Sequence, residues 1–229
     1  MIKTSQRNRA QNSMPSTATL YRSSLGKKYI MSATGGFLGL FLLIHTLGNS
    51  TLFFGRAWFN SYAEHLHSLG PLVTVFELVL LIVFLLHIMT GLILFFQNNR
   101  ARQTRYSVSA TAGRRTWGSR TMPYTGICIL LFVLVHLFNF HFTDHSRPIA
   151  DIVSPVLSRP LYAVFYMAAM LLLALHITHG FWSMFQSLGL YHPGYNCLIR
   201  RSTLWLARFI ALVFLMIPLL FLVGHAVLQ

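Results

Sequence analysis

The chain has 229 residues, of which 55% are hydrophobic and only 10% are charged. A soluble domain carries roughly 25% charged residues, so this composition excludes an ordinary soluble protein and predicts a membrane protein. The net charge of +14 is explained below by membrane topology, and we therefore expect no nucleic-acid partner.

Five apolar segments are long enough to cross a bilayer. A transmembrane helix needs about 20 mostly apolar residues, because every backbone N–H and C=O must be paired within the segment. In chain order the predicted spans are 29–54, 71–97, 123–142, 160–186 and 204–227. They predict an all-α transmembrane domain over 29–229. The preceding residues, 1–28, are basic and free of acids, which fits a disordered tail, an arm on the lipid surface or an organellar transit peptide.

The basic residues indicate how the helices are oriented. They concentrate before the first helix, between the second and third helices, and at the start of the fifth. Only three lie on the other side, namely Arg56, Arg147 and Arg159. All four acids fall on or near that other side, namely Glu64, Glu77, Asp144 and Asp151. The positive-inside rule therefore predicts a cytoplasmic N-terminus and an outer C-terminus.

Each of the first four helices carries a histidine, and the surrounding sequence repeats. LFLLIH ends at His45 and LFVLVH ends at His136, whereas HIMTG begins at His87 and HITHG begins at His176. A single intramembrane histidine can simply hydrogen-bond a neighbouring helix, but such residues are expensive and usually functional. Four in a repeated context favour a shared function.

The depths of these histidines form two levels. Helices one and three run outward and place His45 and His136 near the outer side, whereas helices two and four run inward and place His87 and His176 near the cytoplasm. At 1.5 Å per residue the levels differ by roughly 10 Å. Two stacked haems would require this arrangement, because two neutral imidazoles fill both axial positions of a haem iron. A dinuclear centre would instead need several carboxylates, and Glu77 is the one intramembrane acid.

Several glycines are predicted to leave room for a flat macrocycle. Gly91 and Gly180 each follow a histidine by four residues, and helix one adds Gly35, Gly36, Gly39 and Gly48. The alternative is that they let neighbouring helices approach closely.

Six stretches together carry a family resemblance. They are GKKYIMSATGG, LLIHTLGN, LLHIMTG, SRTMPYTG, LVHLFNFHF and LHITHGFWSMFQSLGL. Over essentially residues 20–228 this succession resembles the cytochrome b subunit of the succinate:quinone oxidoreductase family, in its single-chain, five-helix, two-haem form from bacterial succinate dehydrogenases and fumarate reductases. The resemblance implies two haem b groups, with His45 and His136 as ligands of the distal haem iron and His87 and His176 as ligands of the proximal haem iron.

The resemblance also implies partners in the bacterial cytoplasmic membrane. A flavoprotein subunit with FAD and an iron-sulfur subunit would carry the dicarboxylate chemistry, and this multi-pass anchor would transfer electrons between the iron-sulfur subunit and membrane quinone. It favours menaquinone over ubiquinone. The arginine-rich loop between helices two and three and the N-terminal segment offer a cytoplasmic docking surface, with contact to lipid as the alternative.

Candidates for haem propionate contacts lie at the cytoplasmic ends of the haem-bearing helices. They are Ser32, Lys28, Arg120 and His179. For the first three the alternative is a helix cap or a positive-inside anchor. For His179, only three residues after His176, it is a structural contact or a role as the ligand itself.

A quinone site needs hydrogen-bond donors and a proton carrier. Glu77 enters helix two near the outer surface and is the best acid–base candidate, with a packing hydrogen bond as the alternative. Asn49, Asn139 and His141 follow the distal ligands and are further candidates, with hydrogen bonding between helices as the alternative. Some family members carry a glutamate two residues before the last-helix ligand, but Ala174 occupies that position here.

Two other functions remain as alternatives. One is the cytochrome b anchor of another quinone-linked oxidoreductase, such as a hydrogenase. The other is a small transporter whose histidines relay protons. Transporters tend to have inverted repeats and broken helices, whereas the repeated hairpins here share one orientation and only Pro218 interrupts a helix interior.

Overall fold

A computed structural model describes residues 23–100, 117–144, 146–190 and 192–223. Most of the basic N-terminal segment, most of the arginine-rich loop and the predicted end of the last helix lie outside the described residues. Within them the chain folds into seven α-helices and one 3-10 turn. They are α1 (Ser24–Ser50), the 3-10 turn (Thr51–Phe54), α2 (Arg56–Ser68), α3 (Pro71–Arg100), α4 (Trp117–Phe140), α5 (Ile149–Leu157), α6 (Pro160–Ser187) and α7 (Asn196–Leu222).

Five of these helices are long and apolar enough to cross a membrane, namely α1, α3, α4, α6 and α7. The prediction of an all-α protein with five transmembrane helices is confirmed. The chain is a multi-pass helical membrane protein.

Three of the five begin earlier than predicted. α1 begins at Ser24 instead of 29, α4 at Trp117 instead of 123 and α7 at Asn196 instead of 204. Hydropathy marks only the part of a helix that lipid surrounds, whereas the polar turns before it remain helical when their ends are satisfied. At α1 the side chain of Ser23 accepts a hydrogen bond of 2.9 Å from the Gly26 N–H and caps the helix.

The short helices α2 and α5 were not predicted, because neither is long or continuously apolar. They pack against each other at the end of the bundle opposite the start of α1. Arg56 forms an ion pair of 2.7 Å with Asp151, and the Asn60 side chain accepts a hydrogen bond from the Ala150 N–H. Apolar residues from these helices and from the 3-10 turn share a core with α6 and α7, in the cluster of Leu52, Phe59, Ala150, Val153, Leu157, Tyr166 and Ile217.

Four of the long helices form a ring. α1 packs against α3 and α6, and α4 packs against the same two helices, so that α1 lies opposite α4 and α3 lies opposite α6. α7 packs on α6 and α1, with Ile177, Phe181, Ala207 and Ile210 filling the interface between α6 and α7. Each predicted histidine pair therefore comes from two opposite helices.

The glycines of α1 mostly serve close helix packing. A Cβ at Gly39 would lie 2.5 Å from Phe181 Cε1, and one at Gly36 would lie 2.8 Å from Met184 Sδ, both on α6. A side chain at either position would force Phe181 or Met184 to move. For these two glycines the structure agrees with the alternative, close helix approach.

Candidate functional site

The imidazoles of His45 on α1 and His136 on α4 lie close together between two opposite helices. We call them the distal pair. Their ring centroids lie 6.0 Å apart and their planes make an angle of 85°. Two imidazoles that bind one metal ion from opposite sides, each with a metal–nitrogen distance of about 2 Å, have ring centres about 6 Å apart. The observed spacing therefore suits one iron between them.

Aromatic rings enclose the distal pair. Those that contact His45 or His136, at centroid distances from 5.2 to 5.7 Å, are Phe41, Phe132, Phe140 and Phe214. The Nδ1 atom of His136 is buried, and within the described part of the chain it has no hydrogen-bond partner. Ring packing, and not a hydrogen bond, thus positions His136.

His87 on α3 and His176 on α6 form the proximal pair, and they are close enough to interact electrostatically. The Nδ1 of His87 lies 3.1 Å from the Thr34 hydroxyl, and the Nδ1 of His176 lies 3.1 Å from the Thr125 hydroxyl. Both threonines belong to a helix next to that of the histidine.

A glycine backbone lies against each proximal ring. A Cβ at Gly35 would be 3.2 Å from His87 Cε1, and a Cβ at Gly126 would be 3.6 Å from His176 Cε1. A Cβ at Gly91 or at Gly180 would instead lie nearest to the Cε of a methionine, at 3.4 and 3.9 Å respectively. The glycines closest to the proximal rings are therefore Gly35 and Gly126.

The contact between Thr34 and His87 sets the distance between the two levels. Thr34 lies eleven residues before His45 on α1, which corresponds to about 16 Å along the helix. This exceeds the roughly 10 Å expected from the helix ends. The ends of the predicted apolar segments are a poor reference for the depth of the histidines, because α1 begins earlier than its apolar run.

The candidates for propionate contacts differ in burial. Ser32 is buried, whereas Lys28 and Arg120 are exposed. His179 is partly buried and packs against α4, where a Cβ at Gly118 would lie 2.7 Å from its Nδ1. His179 also lies close enough to His176 to interact with it electrostatically.

Sequence reasoning missed Lys27, which is only 6% exposed. It shares a helix face with Met31 and Thr34, because residues four and seven positions apart lie above one another. Thr34 contacts His87, and Met31 lies next to Gly91 of α3. The spacing of seven residues between Lys27 and Thr34 identifies Lys27 only once the contact between Thr34 and His87 is known.

The structure brings two of the quinone candidates together. The Oε1 of Glu77 lies 3.7 Å from the Nδ1 of His141, and their side chains are 46% and 42% exposed. Glu77 lies in a membrane-spanning helix, and both side chains of this pair are exposed.

The two asparagines are engaged elsewhere. Asn49 donates a hydrogen bond of 2.8 Å to the His45 carbonyl of its own helix. Asn139 donates one of 3.1 Å to the Tyr166 hydroxyl on α6, and the Tyr166 ring contacts His136. Asn139 thus makes the bond between helices that was the alternative to quinone contact.

The fold and its histidines define a class: a membrane protein whose described residues include five membrane-spanning helices, with histidines from opposite helices brought together. Compared with curated proteins, the chain is 26% identical over 156 residues to the succinate dehydrogenase cytochrome b558 subunit of Bacillus subtilis (strain 168), covering 67% of this chain and 74% of that subunit. The similarity confirms the resemblance found in the sequence and is consistent with a cytochrome b membrane anchor of the succinate:quinone oxidoreductase family. No family model matches the chain, and no solved structure matches it significantly.

Proposed function

We propose that this chain is the two-haem b membrane anchor of a succinate dehydrogenase or fumarate reductase. The observation that carries the proposal is the 6.0 Å spacing of His45 and His136 on opposite helices. A second pair of histidines on the other two helices supports a second haem. The name of the Bacillus subtilis relative supports the kind of complex, in which a flavoprotein and an iron-sulfur subunit would be the partners.

In this proposal the bundle carries electrons along its length. Haem b, when bound, accepts and releases one electron at a time. His87 and His176 would hold the proximal haem near the basic end of the bundle, where the N-terminus would face the cytoplasm and the iron-sulfur subunit would bind. His45 and His136 would hold the distal haem about 16 Å further along. All four histidines are partly buried in the ring of helices.

Quinone, menaquinone in preference to ubiquinone, would react beside the distal pair. His141 follows His136 by five residues, which is about 7.5 Å along a helix. Glu77 and His141 together offer a carboxylate and an imidazole to one quinone oxygen. Their role would be to hold and transfer the proton that must accompany an electron to or from quinone.

Lys27, whose residue is only 6% exposed, would add an anion contact to the proximal site. All four acids of the chain fall on α2, on α3, on α5 or just before α5, at or near the opposite end. A haem propionate would supply a negative charge close to this lysine. Lys27 would therefore contact the proximal haem, with Ser32 on the same helix as a further donor.

Replacing Lys27 by methionine is expected to lower the midpoint potential of the proximal haem, because losing a nearby positive charge favours the oxidised iron. A unit charge about 10 Å away is worth about 1 to 2 kcal/mol at an effective dielectric constant of about 20, which corresponds to a shift of several tens of millivolts. A redox titration of the membrane complex measures it. Lys28→Met removes the same charge from the exposed neighbour and is expected to shift the potential less. An equal shift in both variants would argue against a specific contact.

Purification of the complex through a tag on this chain tests the proposed function. We expect two haem b per chain in a reduced-minus-oxidised spectrum, together with a flavoprotein and an iron-sulfur protein, and we expect succinate to reduce haem. A preparation with haem but a different soluble partner would favour an anchor of another oxidoreductase, such as a hydrogenase. A preparation without haem would contradict the proposal and favour a transporter.

A further inference from the structure

Thr34 and Thr125 occupy equivalent positions in the two halves of the bundle. Each precedes a glycine, and each stands at the same interval before the distal histidine of its own helix, Thr34 before His45 and Thr125 before His136. Each hydroxyl lies 3.1 Å from the Nδ1 of a proximal histidine on the neighbouring helix. Both side chains are nearly inaccessible to solvent, with residue exposures of 9% and 5%.

The hydrogen atoms of these contacts can be counted. A threonine hydroxyl has one hydrogen to donate. The Thr34 hydroxyl donates it to the Ile30 carbonyl at 2.7 Å, and that of Thr125 donates to the carbonyl of Met122 or Thr121 at 3.1 or 3.2 Å. A hydroxyl that donates to its carbonyl accepts from the histidine, and in this arrangement the Nδ1 of each ring carries the hydrogen. With the hydrogen on Nδ1, the Nε2 atom of a neutral imidazole has a free lone pair for a metal.

We infer that Thr34 and Thr125 are positioning residues for the proximal haem, and this inference rests on the proposed function. Each threonine holds its histidine in the tautomer that presents Nε2 to the iron and keeps the ring from rotating. A hydrogen bond from the second ring nitrogen also makes a ligating imidazole a stronger electron donor. The distal pair differs, because His136 Nδ1 has no such partner in the described structure.

The test replaces each threonine by valine, which keeps the shape and removes the hydroxyl. We expect Thr34→Val and Thr125→Val to weaken retention of the proximal haem about tenfold or more and to raise its midpoint potential. A tenfold loss of preference for the oxidised iron corresponds to about 59 mV for one electron. The distal haem should keep its potential and its spectrum. Thr34→Ser and Thr125→Ser retain the hydroxyl and should restore the wild-type values.

Thr46→Val is the matched control. Thr46 is on α1, is fully buried and donates to the Leu42 carbonyl at 2.7 Å, as Thr34 does to Ile30. We expect it to leave the proximal haem unchanged.

The outcomes separate the inference from the proposed function. A wild-type complex without haem would contradict the proposed function itself. Two haems in the wild type, with an unchanged proximal potential in both valine variants, would overturn only the inference. Loss of both haems together in these variants would also overturn it, because the threonines would then be needed for folding.

Discussion

Replacing His176 or His87 by alanine is expected to remove the proximal haem and leave the distal haem in place. The iron would lose one of its two protein ligands, and the remaining imidazole would face a cavity on the opposite helix. Replacing His45 or His136 should remove the distal haem by the same reasoning. Haem quantification and reduced-minus-oxidised spectra of each purified complex measure this, with the loss of one of two haems as the expected result.

His179→Ala is the control for His176, because it removes an imidazole one turn away on the same helix. Retention of both haems in this variant is expected, since the ring of His179 packs against Gly118 and the ring of His176 is bonded to Thr125. If His176→Ala kept two haems while His179→Ala lost one, the ligand assignment would be wrong. His179 would then be the proximal ligand.

Replacing Glu77 by glutamine is expected to lower quinone-linked turnover by about 10² to 10⁴, the contribution that positioned acid–base groups typically make. Glutamine keeps the size and hydrogen-bonding capacity of the side chain but removes the titrating group. Both haems should remain bound, because Glu77 contacts His141 outside the histidine pairs. Succinate oxidation with an artificial acceptor at the soluble subunits should persist.

Glu64→Gln provides the matched control for this experiment. Glu64 is an exposed carboxylate on α2, at the end of the bundle opposite the start of α1. Its replacement by glutamine should leave quinone turnover near normal. Loss of haem in Glu77→Gln would show that the carboxylate is structural. Near-normal quinone turnover in that variant would instead move the quinone site elsewhere, with the basic end beside the proximal pair as the next place to search.

The amino-acid sequence by itself determined the five membrane-spanning segments and the two-fold repetition of the histidines. Apolar length is sufficient for the first, because a backbone in lipid has to satisfy its own hydrogen bonds as a helix. For the second, the repeated sequences around His45 and His136, and around His87 and His176, are visible without a structure. Hydropathy did not reveal α2 and α5, because these two helices are stabilised by packing against the other helices and not by surrounding lipid.

Only the tertiary structure decided which side chains meet across helices. Lys27 is buried and its neighbour Lys28 is exposed, although both are lysines at the start of one helix, because the rotation of α1 is set by its packing against α3 and α6. The same rotation places Thr34 at His87, and that of α4 places Thr125 at His176. An all-round apolar helix has no marked polar face from which its rotation can be deduced. The partners of the proximal histidines therefore emerge only from the packed bundle.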